Sequence, residues 1–116
     1  MDIKTYTQED ITRIIAQAKE AASLAACAYL RDKYNGNDQG CCGFAWVNIY
    51  GIKGNTKLGK MFKKAGVEQD YSRAFSIWNP SGLSVQNIDT KEAGAYAAAE
   101  VFKQAGFTAY AGSRMD

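Results

Sequence analysis

An α+β fold in a single compact domain, with about four strands in an antiparallel or mixed sheet packed with three helices, is what this sequence predicts. Three observations lead there. The chain has 116 residues, room for one hydrophobic core but not for two. Its apolar residues change period along the chain in the order helix, strand, helix, hairpin, helix, strand. The stretch MFKKAGV at 61–67 also returns as VFKQAGF at 101–107, the same helix ending used twice.

Thr7 followed by Asp10 has the form of a capping box, in which hydroxyl and carboxylate satisfy amides at the start of a helix. Ile11, Ile14, Ile15, Ala18, Ala22 and Ala25 then trace an apolar stripe, predicting a long helix over about 8–33. YNGNDQG at 34–40 supplies the turn. From there a sheet-forming core is expected over about 42–111, within one domain spanning 1–116. CGFAWVNIYG at 42–51 alternates, so that Phe44, Trp46, Asn48 and Tyr50 share one side of a strand and Ala45, Val47 and Ile49 the other. Thr56 is placed to cap a second helix, with Leu58, Met61, Phe62 and Ala65 inward and Gly66 in a left-handed terminating position. RAFSIWNPSGLSVQNI at 73–88 reads as two short strands around Asn79, Pro80, Ser81 and Gly82. Asp89 and Glu92 frame an alanine-rich third helix that Gly106 ends, and FTAYA at 107–111 reads as the final strand. Each copy of the repeated heptapeptide is thus the last turn of a helix, with Phe62 or Phe102 inward. A duplicated half-domain and independent use of a common stop signal both account for it.

Composition narrows the chemistry. The chain has no His, which removes the usual acid or base at neutral pH and the commonest metal ligand. Cys27, Cys41 and Cys42 lack the spacing of a zinc site and make a poor disulfide framework. No cofactor or metal is expected. Adjacent Cys41 and Cys42 suggest one buried thiol and one accessible thiol, without a conventional base to activate either. No apolar leader or membrane-length run occurs, so a reduced, cytoplasmic protein without a membrane partner is the expectation.

The net charge of +2 hides an uneven layout. Residues 39–67 carry Lys53, Lys57, Lys60, Lys63 and Lys64 and no carboxylate. Such a segment can present a cationic face to phosphates or to an acidic protein, or serve as an ordinary solvated helix face. Arg73 and Trp78 near the anticipated hairpin tip are further candidates for macromolecule binding, because Arg and aromatic residues dominate many interfaces. The bland alternative, slightly preferred, buries Trp78 at the end of its strand. Phe44, Trp46 and Tyr50 are candidates for base stacking if exposed, although such a stripe in a small domain is more commonly the core itself. No known RNA-binding strand signature is present. GIKGN at 51–55 lacks the phosphate-loop and dinucleotide patterns and reads as a turn. Arg114 and Asp116 in the tail suit pairing with each other or a fraying end.

The wording of CGFAWV, WNPSG and EAGAYAAAEVFKQAGFTAYAGSRMD over residues 41–116 resembles a family of small proteins encoded by tailed bacteriophages. The pattern falls here on Cys42, Gly43, Phe44, Trp46, Trp78, Asn79, Pro80, Gly94, Gly106, Arg114 and Asp116. The resemblance implies an origin and a setting in the host cell, not a reaction. The expected function is therefore a small non-enzymatic accessory protein that binds a host protein or other macromolecule through its lysine-rich face. A nucleic-acid-binding protein, with Lys on phosphates and strand aromatics on bases, is the alternative. A small enzyme working without His ranks third. Self-association through the alanine-rich third helix stays open.

Overall fold

The structure, a computed structural model, describes residues 2–116. After a short 3-10 turn at Ile3–Thr5 come α1 (Gln8–Tyr34), β1 (Gly43–Tyr50), α2 (Lys57–Lys64), β2 (Glu68–Gln69), β3 (Phe75–Trp78), α3 (Ile88–Gln104) and β4 (Thr108–Met115). The described residues form a single α+β domain of three α-helices and one four-stranded antiparallel sheet.

The predicted caps form. Thr7 and Asp10 exchange hydrogen bonds at the start of α1, and the Thr56 side chain accepts from the Gly59 amide at the start of α2. α1 lies antiparallel along α3. Near its start Tyr6 Oη donates to Ala105 O at 2.6 Å, and at its other end Tyr34 Oη reaches Asp89 Oδ2 at 3.4 Å. Small residues let the two helices approach closely: a Cβ on Gly94 would sit 3.1 Å from Ala22 O. Ala18, Ala22, Ala95 and Ala98 are accordingly buried along this seam.

Strand order is β2-β3-β1-β4, every neighbouring pair antiparallel. The units β1-α2-β2 and β3-α3-β4 therefore interleave, each placing a foreign strand between its own two, which is the split βαβ arrangement. The repeated heptapeptide now has a location. It ends the helix of each half at equivalent points, Val67 N donating to Phe62 O and Phe107 N to Phe102 O, both at 3.0 Å. Gly66 and Gly106 follow with φ of 92° and 98°, a region open to Gly and strained for most other residues.

The core lies between the sheet and the helices. Phe62 is at its centre, with ring centroids 5.3 Å from Phe75, 5.5 Å from Phe107 and 6.5 Å from Phe102. Ala45, Val47 and Ile49 supply the floor from β1. Gly59 is buried in α2 because the β1–α2 loop crosses it: a Cβ there would lie 2.2 Å from Lys53 O. Ala is favoured over Gly within a helix by roughly 1 kcal/mol, but here the obstacle is backbone and cannot swing aside. Gly59→Ala is expected to lower stability by about 1–3 kcal/mol, read from the midpoint of a urea titration.

Two expectations about the strands are corrected. The anticipated hairpin around Asn79–Gly82 does not form, because residues 83–87 do not make a strand. Their backbone is satisfied otherwise. The Asp38 carboxylate accepts from Gln86 N at 2.8 Å and Asn87 N at 3.0 Å, and Asn79 Nδ2 donates to Leu83 O at 3.0 Å. The hairpin lies earlier, where β2 pairs with β3 around residues 70–74. The tail does not fray either. β4 continues to Met115, beyond the expected limit at 111, and Asp116 N donates to Cys42 O at 3.1 Å.

Candidate functional site

Alternation along β1 sorts its side chains onto two faces. The helices cover Ala45, Val47 and Ile49, leaving Phe44, Trp46, Asn48 and Tyr50 on the open face of the sheet. The expectation that the aromatic stripe is core is therefore corrected. Phe62, Phe75, Phe102 and Phe107 already fill the space beneath the helices, and only the smaller aliphatic residues of β1 fit against them. Trp78 is likewise not buried; 55% of it is exposed.

Cross-strand register assembles these residues into one surface. Trp46 pairs with Trp78 of β3 and with Gly112 of β4, while Phe44 pairs with Arg114 and Asn48 with Ser76 and Tyr110. The two indoles lie 4.8 Å apart at 30°, with the Phe44 ring 6.2 Å from Trp78. Toward the other end Tyr50 and Tyr110 lie 6.0 Å apart. Cations border the rings: the Arg114 guanidinium is 5.5 Å from Phe44 and Lys103 Nζ 5.3 Å from Tyr110. Lys91, buried in α3, sends Nζ to Gly43 O at 2.9 Å, and that nitrogen also lies 5.3 Å from the Phe44 ring.

Gly112 makes the central ring position possible. A Cβ there would be 2.5 Å from Trp46 Nε1, so the indole lies directly across its backbone. Gly112→Val is expected to lift Trp46 off the sheet. The check is a weakened near-ultraviolet dichroism signal from the Trp46–Trp78 pair, with the core methyl resonances unchanged.

A polar chain crosses the same face. Asn48 Nδ2 donates to Tyr50 Oη at 3.1 Å, and the Ser76 hydroxyl lies against both Asn48 Oδ1 and Asp70 Oδ2. Asp70 organises the 70–74 turn, its Oδ1 accepting from Ser72 Oγ at 2.6 Å, Ser72 N at 2.9 Å and Ala74 N at 3.1 Å. The Ser72 hydroxyl above all, with the Ser76 hydroxyl and the Ala74 and Ser72 amides, holds the Asp70 carboxyl below its ordinary 3.8. A carboxyl lowered by folding stabilises the fold in its ionised form. That contribution is complete above the unfolded value and disappears as pH falls through the lowered one. Acid titration is expected to release the Ser72 and Ala74 amides together, seen as loss of their hydrogen-exchange protection relative to the unstructured rate at the same pH.

The same turn presents Arg73, held at φ 67° with its carbonyl accepting from Gln69 Nε2 at 3.0 Å. Beyond the end of β1, Arg73, Lys53, Lys63 and Tyr50 line an open groove of about 700 Å³. The five lysines of the basic segment are all exposed, and among the described residues none has a carboxylate within 4.0 Å. They are divided, however. Lys53 and Lys63 border this groove, Lys57 borders a second one with Lys4 and Lys53, and Lys60 and Lys64 line neither.

Cys27, Cys41 and Cys42 are free and exposed, so the expectation of one buried thiol in the adjacent pair is corrected. Among the described residues no group of three or more His, Cys, Asp or Glu is placed to hold a metal ion, and no helix is long and apolar enough to cross a membrane. Sequence reasoning missed Tyr110, Gly112 and Lys103. The alternation of Thr108, Tyr110, Gly112 and Arg114 was the available signal, hidden by ending the strand at 111.

The geometry defines a split βαβ domain with an open aromatic sheet face bordered by basic residues. Comparison with known protein families, with curated proteins and with solved structures gives no match.

Proposed function

We propose that this protein binds single-stranded nucleic acid across the open face of its sheet, as a binding module with no reaction of its own. The observation that carries this reading is the Trp46–Trp78 pair on the open face of the two central strands, Trp78 exposed and Trp46 half-buried, 4.8 Å between ring centres. Every base has a π-face, and sheet-based RNA readers stack two or three bases on aromatic residues of a four-stranded sheet. Phe44 and the Tyr50–Tyr110 pair extend the surface along β1. Eight residues of strand give it a length of roughly 25 Å. Arg114 and Lys103 lie beside the rings, positions suited to phosphates of a strand whose bases face the sheet. A duplex keeps its bases paired and stacked and cannot lay them on this surface.

A phage origin, which the sequence resemblance implies, would give such a module host or phage strands to act on in a host cell. A host protein bound through Lys57, Lys60 and Lys64 is the competing outcome.

Calorimetric titration with a single-stranded homopolymer of about ten nucleotides and with a duplex of equal length tests the reading. Tighter binding of the single strand is expected, weakening with salt by about 0.7 log units of affinity per log unit of salt for each phosphate neutralised. Arg114→Gln is expected to reduce that slope by about 0.7. Equal binding of strand and duplex, or none at about 50 mM salt, would overturn the proposal.

A further inference from the structure

The groove beyond the end of β1 is distinct from the flat aromatic surface. Its walls come from three separate elements: the loop after β1 with Gly51, Lys53 and Gly54, the last turn of α2 with Lys63, and the 69–74 turn with Gln69 and Arg73. Its volume of about 700 Å³ lies within the ~300–1,000 Å³ typical of small-ligand sites. The walls are fitted to each other. Lys63 Nζ and Gln69 Oε1 close over Gly54 so tightly that a Cβ there would meet them at 2.9 and 2.3 Å.

Charge in this groove has one sign left over. Lys53, Lys63 and Arg73 contribute three positive charges and Asp70 is the single carboxylate among the lining residues, a surplus of two. Asp70 is already engaged by Ser72, Ala74 and Ser76, and no lining cation has a carboxylate within 4.0 Å among the described residues. Tyr50, 39% exposed, belongs to both the groove wall and the aromatic face. A strand lying along that face therefore runs off the sheet into the groove.

We infer that the groove receives the terminal phosphate monoester of a bound single strand, with its last base against Tyr50. This assignment rests on the nucleic-acid reading of the sheet face. An internal phosphodiester carries one negative charge, whereas a monoester carries about −1.5 to −2 at neutral pH and offers three acceptor oxygens. The surplus of two and the fork of Arg73 match the monoester. The protein so built reads an end of a strand as well as its bases.

The test compares one hexanucleotide with hydroxyl ends, with a 5′-phosphate and with a 3′-phosphate, each titrated against wild-type protein, Lys63→Gln and Arg73→Gln. All three proteins are first shown to share one circular dichroism spectrum. The expected result is about tenfold tighter binding of one phosphorylated strand, reduced to less than about twofold in either variant, with the hydroxyl-ended strand affected little. The end that gives the gain sets the polarity of the bound strand. Equal affinity for all three strands overturns the end-reading site while leaving the aromatic platform standing. Equal losses for phosphate-ended and hydroxyl-ended strands also overturn it, since the groove cations then serve internal phosphates. No binding of any strand removes both readings. A free nucleoside 5′-monophosphate is the remaining arm: if it binds as tightly as the phosphorylated strand, the groove is a nucleotide site and strand-end recognition is overturned.

Discussion

Trp78→Ala is expected to weaken binding of a single-stranded oligonucleotide roughly 5- to 150-fold, the equivalent of about 1–3 kcal/mol for one stacked base. The same substitution should change the urea midpoint little, because 55% of Trp78 is in contact with solvent and its principal neighbours are Trp46 and Phe44 on the same open face. This separation of binding from stability makes the experiment decisive. Trp46→Ala should weaken binding similarly, but with some cost in stability, since the indole also covers the backbone of Gly112. Tyr71 supplies the control: it is fully exposed at the tip of the 70–74 turn, and Tyr71→Ala should leave affinity unchanged. Filter binding at constant salt measures all three. Wild-type affinity in Trp78→Ala would remove the indole pair as the seat of base stacking.

The largest loss of stability is expected from Phe62→Ala, about 3–5 kcal/mol. Domains of this kind hold about 5–15 kcal/mol in total, so the variant should melt on the order of 10–20 °C lower. Phe62 is fully buried and contacts Phe75, Phe102 and Phe107. Removing it opens a cavity where the two βαβ halves meet. Phe102, its counterpart in the repeated heptapeptide, is buried to the same degree, and Phe102→Ala should behave alike. Differential scanning calorimetry checks both. A drop of only a few degrees would show that the helices close over the vacancy.

The elements that were legible in the sequence are those whose signals are local. Thr7 with Asp10, Thr56, Gly66 and Gly106 each mark a helix boundary through hydrogen bonds or dihedral angles confined to one turn. Alternation in β1 likewise divided its residues correctly between two faces. Which face was inside could not be read locally. It depended on four Phe rings from α2, β3, α3 and the start of the last strand meeting beneath the helices, a sum over distant segments. The hairpin was misplaced for a related reason. Asn79-Pro80-Ser81-Gly82 is a strong turn signal, but the long-range acceptor Asp38 takes the amides of Gln86 and Asn87 and prevents a return strand. The true hairpin has a β2 of only two residues, too short for a periodic pattern. The five lysines were visible as a charge run, yet their division between grooves follows from the fold. Arg73 joins Lys53 and Lys63 because Asp70 bends the chain toward them.

The chain contains two tryptophans, and both stand on the open face within 4.8 Å of each other. Excited at the red edge of the absorption band, the protein therefore emits only from that surface, with the buried core silent. The closeness of the rings also couples their transition dipoles, giving a near-ultraviolet dichroism signal sensitive to their mutual angle. Any molecule that settles on the indoles changes brightness, colour and ellipticity at once, so the unlabelled protein carries its own optical gauge of occupancy.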